Sequence, residues 1–220
     1  MIDRQNIVMR GLKSVVALAF ALIFTVQAEA QSHDHSDAQD DGPRVRTEWG
    51  IGVGASYTMV EHNSAIVDVK PRFGLGGHLH MGLLFGNNFA LEAEIHYHGG
   101  SIMAALPKAN IQHKIKTTTV DFPVMMSLRM LDSIIQLDAG VLFTVMSRAE
   151  YTHESELMYY GSVYPTFNLT AGVGFRLSRH FLLEAHYIYP LGETVNQFVY
   201  TDANFKSRAQ RFTAGLTLTF

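Results

Sequence analysis

From Glu48 to Phe220 the chain runs in segments whose side chains alternate apolar with small or polar residues at a period of two. That period places the two sets on opposite faces of a strand. The last segment is the clearest. Phe212, Ala214, Leu216, Leu218 and Phe220 share one face, opposite Arg211, Thr213, Gly215, Thr217 and Thr219. Counted along the chain there are eight such segments, beginning near Trp49, Phe73, Phe89, Gln112, Ile135, Thr166, Phe181 and Arg211. A strand with one oily face needs an apolar surrounding for that face, which either a second sheet or a bilayer can supply.

The connections decide between these. Gly86-Asn87-Asn88, Leu131-Asp132 and Ser178-Arg179 are short turns, whereas Val60–Lys70, Gly99–Ile111, Ser147–Ser162 and Leu191–Ser207 are long. Short and long therefore alternate along the chain. A transmembrane barrel with periplasmic turns and extracellular loops predicts this alternation, and a soluble sandwich has no reason for it. The expected fold is all-β: an eight-stranded antiparallel transmembrane β-barrel, wound as an up-and-down meander, in the outer membrane of a Gram-negative bacterium.

The amino terminus agrees with export. Arg4, Arg10 and Lys13 precede an apolar run from Val15 to Val26, and Ala28-Glu29-Ala30 follows. This is the pattern of a cleaved signal peptide, residues 1–30, and the run is too short for the roughly 20 residues of a spanning helix. Residues 31–47, opening with QSHDHSDAQDD, are polar and acidic and read as a disordered periplasmic linker. The barrel domain is expected over 48–220. There is no cysteine, so neither a disulfide framework nor a lipoprotein anchor is available. A net charge of −3 with no basic stripe argues against nucleic acid as a partner.

The barrel reading assigns the inward faces. An eight-stranded barrel is just wide enough for side chains to fill. Glu48, Glu92, Glu94, Asp121, Asp138, Glu184 and His186 point inward with Arg129, Arg176 and Arg211, and opposite charges across so narrow a lumen should pair and plug it. The sharpest chemistry is His78-x-His80 followed by His96-x-His98. A three-residue turn at Gly86-Asn87-Asn88 sets Phe85 against Phe89, hence His78 against His96 and His80 against Glu94, and a one-residue slip would turn the oily faces inward. His78, His80, His96, His98 and Glu94 are a donor set that Zn²⁺ accepts. The other reading is a hydrogen-bonded network that merely fills the lumen. We take the network as the primary expectation, because ligation also demands tetrahedral convergence and supporting contacts around the ligands. His33-Asp34-His35 is a second, weaker metal candidate.

Val120-Asp121-Phe122-Pro123-Val124-Met125-Met126, Asp138-Ala139-Gly140-Val141, Ala171-Gly172-Val173-Gly174-Phe175 and Leu183-Glu184-Ala185-His186-Tyr187 resemble the small porin-like outer-membrane barrels that include the PorT-type proteins. Many of these carry Arg where this chain has His186. The resemblance implies that a terminal strand bearing Phe212, Leu216, Leu218 and Phe220 is the signal read by the barrel assembly machinery. It does not fix a task. Some eight-stranded barrels modify lipid A through a His-x-Ser motif, but the nearest match here, His186-Tyr187-Ile188, has no hydroxyl, and no enzyme activity is expected. The expected partners are outer-membrane lipid, the assembly machinery, and a protein or glycan at the four extracellular loops. The loop Ser147–Ser162 carries His153, Glu154, Glu156, Tyr159 and Tyr160. The protein is expected to be a monomer without a resident cofactor, zinc apart. A narrow transport or metal-handling barrel built on the His/Glu wall is the alternative function.

Overall fold

The computed structural model describes residues 45–198 and 204–220. The expected signal segment, most of the linker and His33-Asp34-His35 lie outside the described residues. The strands are β1 (Val45–His62), β2 (Asp68–Lys70), β3 (Arg72–Phe85), β4 (Phe89–Leu106), β5 (Ile111–Met130), β6 (Ile135–His153), β7 (Glu156–Gly161), β8 (Phe167–Arg176), β9 (Phe181–Pro190), β10 (Thr194–Asn196) and β11 (Phe205–Thr219). The first strand thus starts at Val45 rather than Glu48. Eight of the strands form a closed antiparallel ring in the order β1, β3, β4, β5, β6, β8, β9, β11 and back to β1. Closure runs from Gly50 opposite Thr219 to His62 opposite Ser207. Beyond it, Trp49 and Phe220 exchange backbone hydrogen bonds of 3.1 and 2.9 Å. Closure leaves no unpaired edge for the bilayer to meet.

Three tight turns join strands at the end of the barrel where Trp49 and Phe220 lie. Gly86 opens the first with φ +66°, in the region where glycine carries no steric cost. Leu131, Asp132 and Ser133 make the second with φ of 52°, 55° and 66°, and residues 177–180 make the third.

At the opposite end the structure departs from the sequence expectation. The long connections are mostly strand. β4 continues to Leu106 and β5 resumes at Ile111, with a 3₁₀ turn over Pro107–Ala109 between them. β6 continues to His153 and turns over Glu154 and Ser155, both at positive φ, into β7. Two central residues of positive φ match the right-handed twist of the flanking strands. β2 pairs with β4, and β7 with β10, which pairs in turn with β11, so the wall is carried upward.

The reason lies in the polarity of the alternation, which inverts partway up β1, β5, β6 and β11. Over Trp49–Met59, Val120–Leu128, Leu137–Met146 and Phe212–Phe220 the outward residues are apolar and the inward ones, Met125 and Leu142 apart, mostly polar or small. Each stretch has about the nine to eleven residues that a tilted strand needs to cross the hydrocarbon. Above that level the outward residues are Glu61, Lys114, Lys116, Arg148, Glu150, Lys206 and Arg208, and the inward ones are Ile115, Ala149, Tyr151, Phe205 and Ala209. The inward set joins Ile102, Ala104, Tyr160, Val163, Tyr164 and Phe198 in one buried cluster. The apolar core of the molecule therefore sits inside the upper barrel, where water replaces lipid outside.

One irregularity reconciles the two levels on β6. Val120 pairs with Met146 but Asp121 with Thr144, which leaves Val145 as an extra residue in a β-bulge. Below it the inward positions of β6 are Gln136, Asp138, Leu142 and Thr144; above it they are Ala149 and Tyr151.

Candidate functional site: the barrel lumen

The inward residues of the lower barrel form three connected groups. At the turn end, Arg129 Nη2 donates to Glu48 Oε1 at 2.8 Å and to Glu92 Oε1 at 3.2 Å, and Arg176 Nη2 donates to the same Glu48 oxygen at 3.1 Å. Gln136 Nε2 bridges Glu92 Oε2 at 3.0 Å and Asp138 Oδ1 at 2.9 Å. At the boundary with the apolar core, Arg211 Nη2 donates to Asp121 Oδ2 and Nη1 to Thr119 Oγ1 at 3.2 Å, while Thr144 Oγ1 donates to the other Asp121 oxygen at 2.8 Å. Tyr164, descending from the chain between β7 and β8, hydrogen-bonds Thr58 and lies under the Arg211 guanidinium.

Between these lies the histidine wall. The β3–β4 register puts His78 opposite His96 and His80 opposite Glu94. His80 Nδ1 is 2.8 Å from Glu94 Oε1, and His96 Nε2 bonds Glu94 Oε2. His96 Nδ1 is 3.4 Å from His98 Nε2, and the His78 and His96 rings stack with centroids 4.9 Å apart. His78 Nε2 meets Thr217 Oγ1 across the lumen at 2.7 Å. The four imidazoles thus each bond a different set of neighbours, and His80 Nε2 and His98 Nδ1 have no hydrogen-bond partner among the described residues. Among the described residues, the trios whose ligand atoms come within 4.8 Å of one another are His78/Glu94/Glu184, His80/Glu92/Glu94 and Asp138/Glu184/His186, each with a single histidine.

Glycines on neighbouring strands make the space for these rings. A Cβ on Gly52 would overlap the His78 imidazole, one on Gly76 the His98 ring and one on Gly172 the His186 ring. Gly76 and Gly172 stand directly opposite their histidines in register. Residue types and strand pairing carried that signal, but reading it requires the register of every hairpin. Thr217, Thr219, Thr58 and Tyr164, all bonded into the network, were not among the residues expected from sequence. Hydroxyls on an inward face give no charge pattern to notice.

The voids are small. One of about 20 Å³ is lined by His78, Glu94, His96, Glu184 and His186, and one of about 10 Å³ lies beside Thr58, Thr119, Tyr164 and Arg211. Each has room for about one water. A wider recess of about 230 Å³ opens at the turn end among Arg46, Glu48, Arg179, His180 and Phe220. Tyr160, expected on a surface loop, is buried in the upper core, whereas Tyr159 beside it on β7 is exposed. The alternation of β7 separates them.

The family model described as outer membrane protein beta-barrel domain matches residues 30–196. No curated protein matches. Among solved structures, Ail, the attachment invasion locus protein of Yersinia pestis, is 16% identical, with 80% of this chain and 99% of that chain covered and a TM-score of 0.47. Neisserial surface protein A is 12% identical, with 78% of this chain and 97% of that chain covered and a TM-score of 0.48.

Proposed function

Because this chain belongs to the outer membrane protein β-barrel domain family and is integral to the outer membrane of a Gram-negative bacterium, we propose that it is a non-conducting barrel whose work is done by its extracellular storey. The observation that carries this reading is the filling of the interior at two levels. Ion-paired side chains occupy the lower lumen and an aromatic and aliphatic core the upper, with voids of about 20 and 10 Å³ between their side chains. A hydrated ion needs a continuous wet path, and two successive layers would each have to open to make one.

The task is then structural or interactive, with a protein or a glycan as the partner at the raised hairpins. His153, Glu154, Glu156 and Tyr159 at the β6–β7 tip are the candidate contacts; Tyr160 supports them from inside. The reading assigns no catalysis, since the lumen's carboxylates and imidazoles face one another rather than lipid. Phe212, Leu216, Leu218 and Phe220 serve as the signal to the assembly machinery, and the folded barrel is a monomer. Within the family, the PorT-type porin-like barrels are the closer placement we infer, on the segments in β5, β6, β8 and β9 that resemble them.

Reconstitution into planar lipid bilayers in 1 M KCl tests the central claim. The expected trace is flat, with no unitary steps above the bare membrane. Steady ohmic channels would overturn it and favour a narrow transport barrel.

A further inference from the structure

We propose that Asp138, Glu184 and His186 bind a divalent first-row transition cation inside the lumen. The argument begins with charge. Arg129 is taken by Glu48 and Glu92, Arg176 by Glu48 and Arg211 by Asp121, while Glu94 sits between His80 and His96. Asp138 and Glu184 meet no Arg or Lys among the described residues; the nearest imidazole nitrogens are those of His186, 3.5 Å from Asp138, and His78, 3.8 Å from Glu184. Two carboxylates held in an enclosed site call for two positive charges.

The geometry supplies the place for them. Among the described residues, Asp138 Oδ2, Glu184 Oε1 and His186 Nε2 are all buried without a hydrogen-bond partner, and the three residues offer ligand atoms within 4.8 Å of one another. The second oxygen of each carboxylate is anchored. Ser127 Oγ and Gln136 Nε2 donate to Asp138 Oδ1 at 2.5 and 2.9 Å, and Thr217 Oγ1 donates to Glu184 Oε2 at 2.5 Å. Such outer contacts orient ligands at metal sites and leave one oxygen of each to coordinate. The separation of His186 Nε2 from Asp138 Oδ2, 3.5 Å, matches the roughly 3.4 Å edge of a tetrahedron with metal–ligand bonds near 2.1 Å. Gly172 leaves room for the His186 ring, and the void of about 20 Å³ bordered by Glu184 and His186 can hold a water as fourth ligand. Imidazole with carboxylate suits zinc and its neighbours in the first row rather than calcium or magnesium. The site is distinct from the four-histidine wall, where each imidazole already bonds Glu94, Thr217 or another histidine through at least one nitrogen.

The test uses the untagged full-length chain carrying His33→Ala and His35→Ala, so that the amino-terminal pair does not contribute. The barrel is refolded into micelles with zinc, desalted and assayed for metal. About one equivalent is expected. Asp138→Asn with Glu184→Gln should lose it while keeping the heat-dependent gel mobility of a folded barrel, and His78→Ala with His96→Ala should retain it. Zinc-edge X-ray absorption on the parent protein should show one imidazole among oxygens. No metal above background, a full equivalent in the Asn/Gln variant, or a shell of two or more imidazoles would each overturn the assignment.

Discussion

Arg211 Nη2 meets Asp121 Oδ2 at 2.5 Å, with both side chains buried and the Tyr164 ring 4.7 Å beneath the guanidinium. The pair sits on the seam between the charged lower lumen and the apolar upper core. Removing one partner strands a buried charge. Asp121→Asn should therefore cost about 3–5 kcal/mol, and Asp121→Leu combined with Arg211→Met distinctly less. Urea titration of the heat-modifiable form in micelles measures both. Equal losses in the single and double variants would show that the pair matters only for its packing.

The glycines opposite the histidines give a second expectation. Gly172→Ala drives a methyl group into the His186 ring and Gly52→Ala one into His78, and each should destabilise the barrel by about 1–3 kcal/mol, as overpacking does. Gly99 is the control. Its Cβ would meet only the Leu75 carbonyl oxygen at 4.0 Å, so Gly99→Ala should stay within about 0.5 kcal/mol of the parent.

In the upper core the Tyr160 hydroxyl is buried without a hydrogen-bond partner among the described residues. An unmade hydrogen bond of this kind costs about 1–3 kcal/mol, so Tyr160→Phe should leave the protein as stable or make it more so, whereas Phe198→Ala should cost about 3–5 kcal/mol. Burial, with a smaller contribution from Tyr151, pushes the Tyr160 phenol above its ordinary value of 10.0. The folded state then holds a proton that the unfolded state releases, so stability falls as pH rises past about 10. Tyr160→Phe should flatten that part of the decline, visible as a smaller loss of urea midpoint between pH 9 and pH 11.

The outer face offers a fourth. Val141 lies midway along the apolar stretch of β6 and is 40% exposed. Val141→Arg should cost about 2–4 kcal/mol in lipid vesicles. Arg148→Leu, above the band, should be nearly neutral. A reversed order of the two would place the bilayer elsewhere on the wall.

How much of this was legible follows from where polarity has one sign. Each of the eight segments could be read because its outward residues are apolar where lipid surrounds them, and the tight turn at Gly86-Asn87-Asn88 fixed His78 against His96. Lys114-Ile115-Lys116 and Arg148-Ala149-Glu150-Tyr151 keep the same period with the opposite sense. A search for oily outward faces takes the second stretch for a loop, while the first falls within the segment read from about Gln112. The bulge at Val145 compounds this, since it moves the inward positions of β6 from even to odd numbers. The lumen's composition was open to reading, but the convergence of Asp138 with Glu184 and His186 was not. It depends on rotamers, and on glycines contributed by strands that are neighbours only after the ring has closed.

The reversal of polarity has a mechanical consequence. Moving the barrel toward the periplasm by a single turn of the pleat would carry Lys116, Arg148 and Arg208 toward hydrocarbon, and moving it outward would lift Trp49, Phe181 and Phe220 away from the periplasmic headgroups and into the hydrocarbon. Charged side chains resist the first displacement and aromatic ones the second. The protein therefore carries its own waterline. Whatever meets the hairpin tips meets them at a fixed height above the bilayer, on a platform that cannot bob.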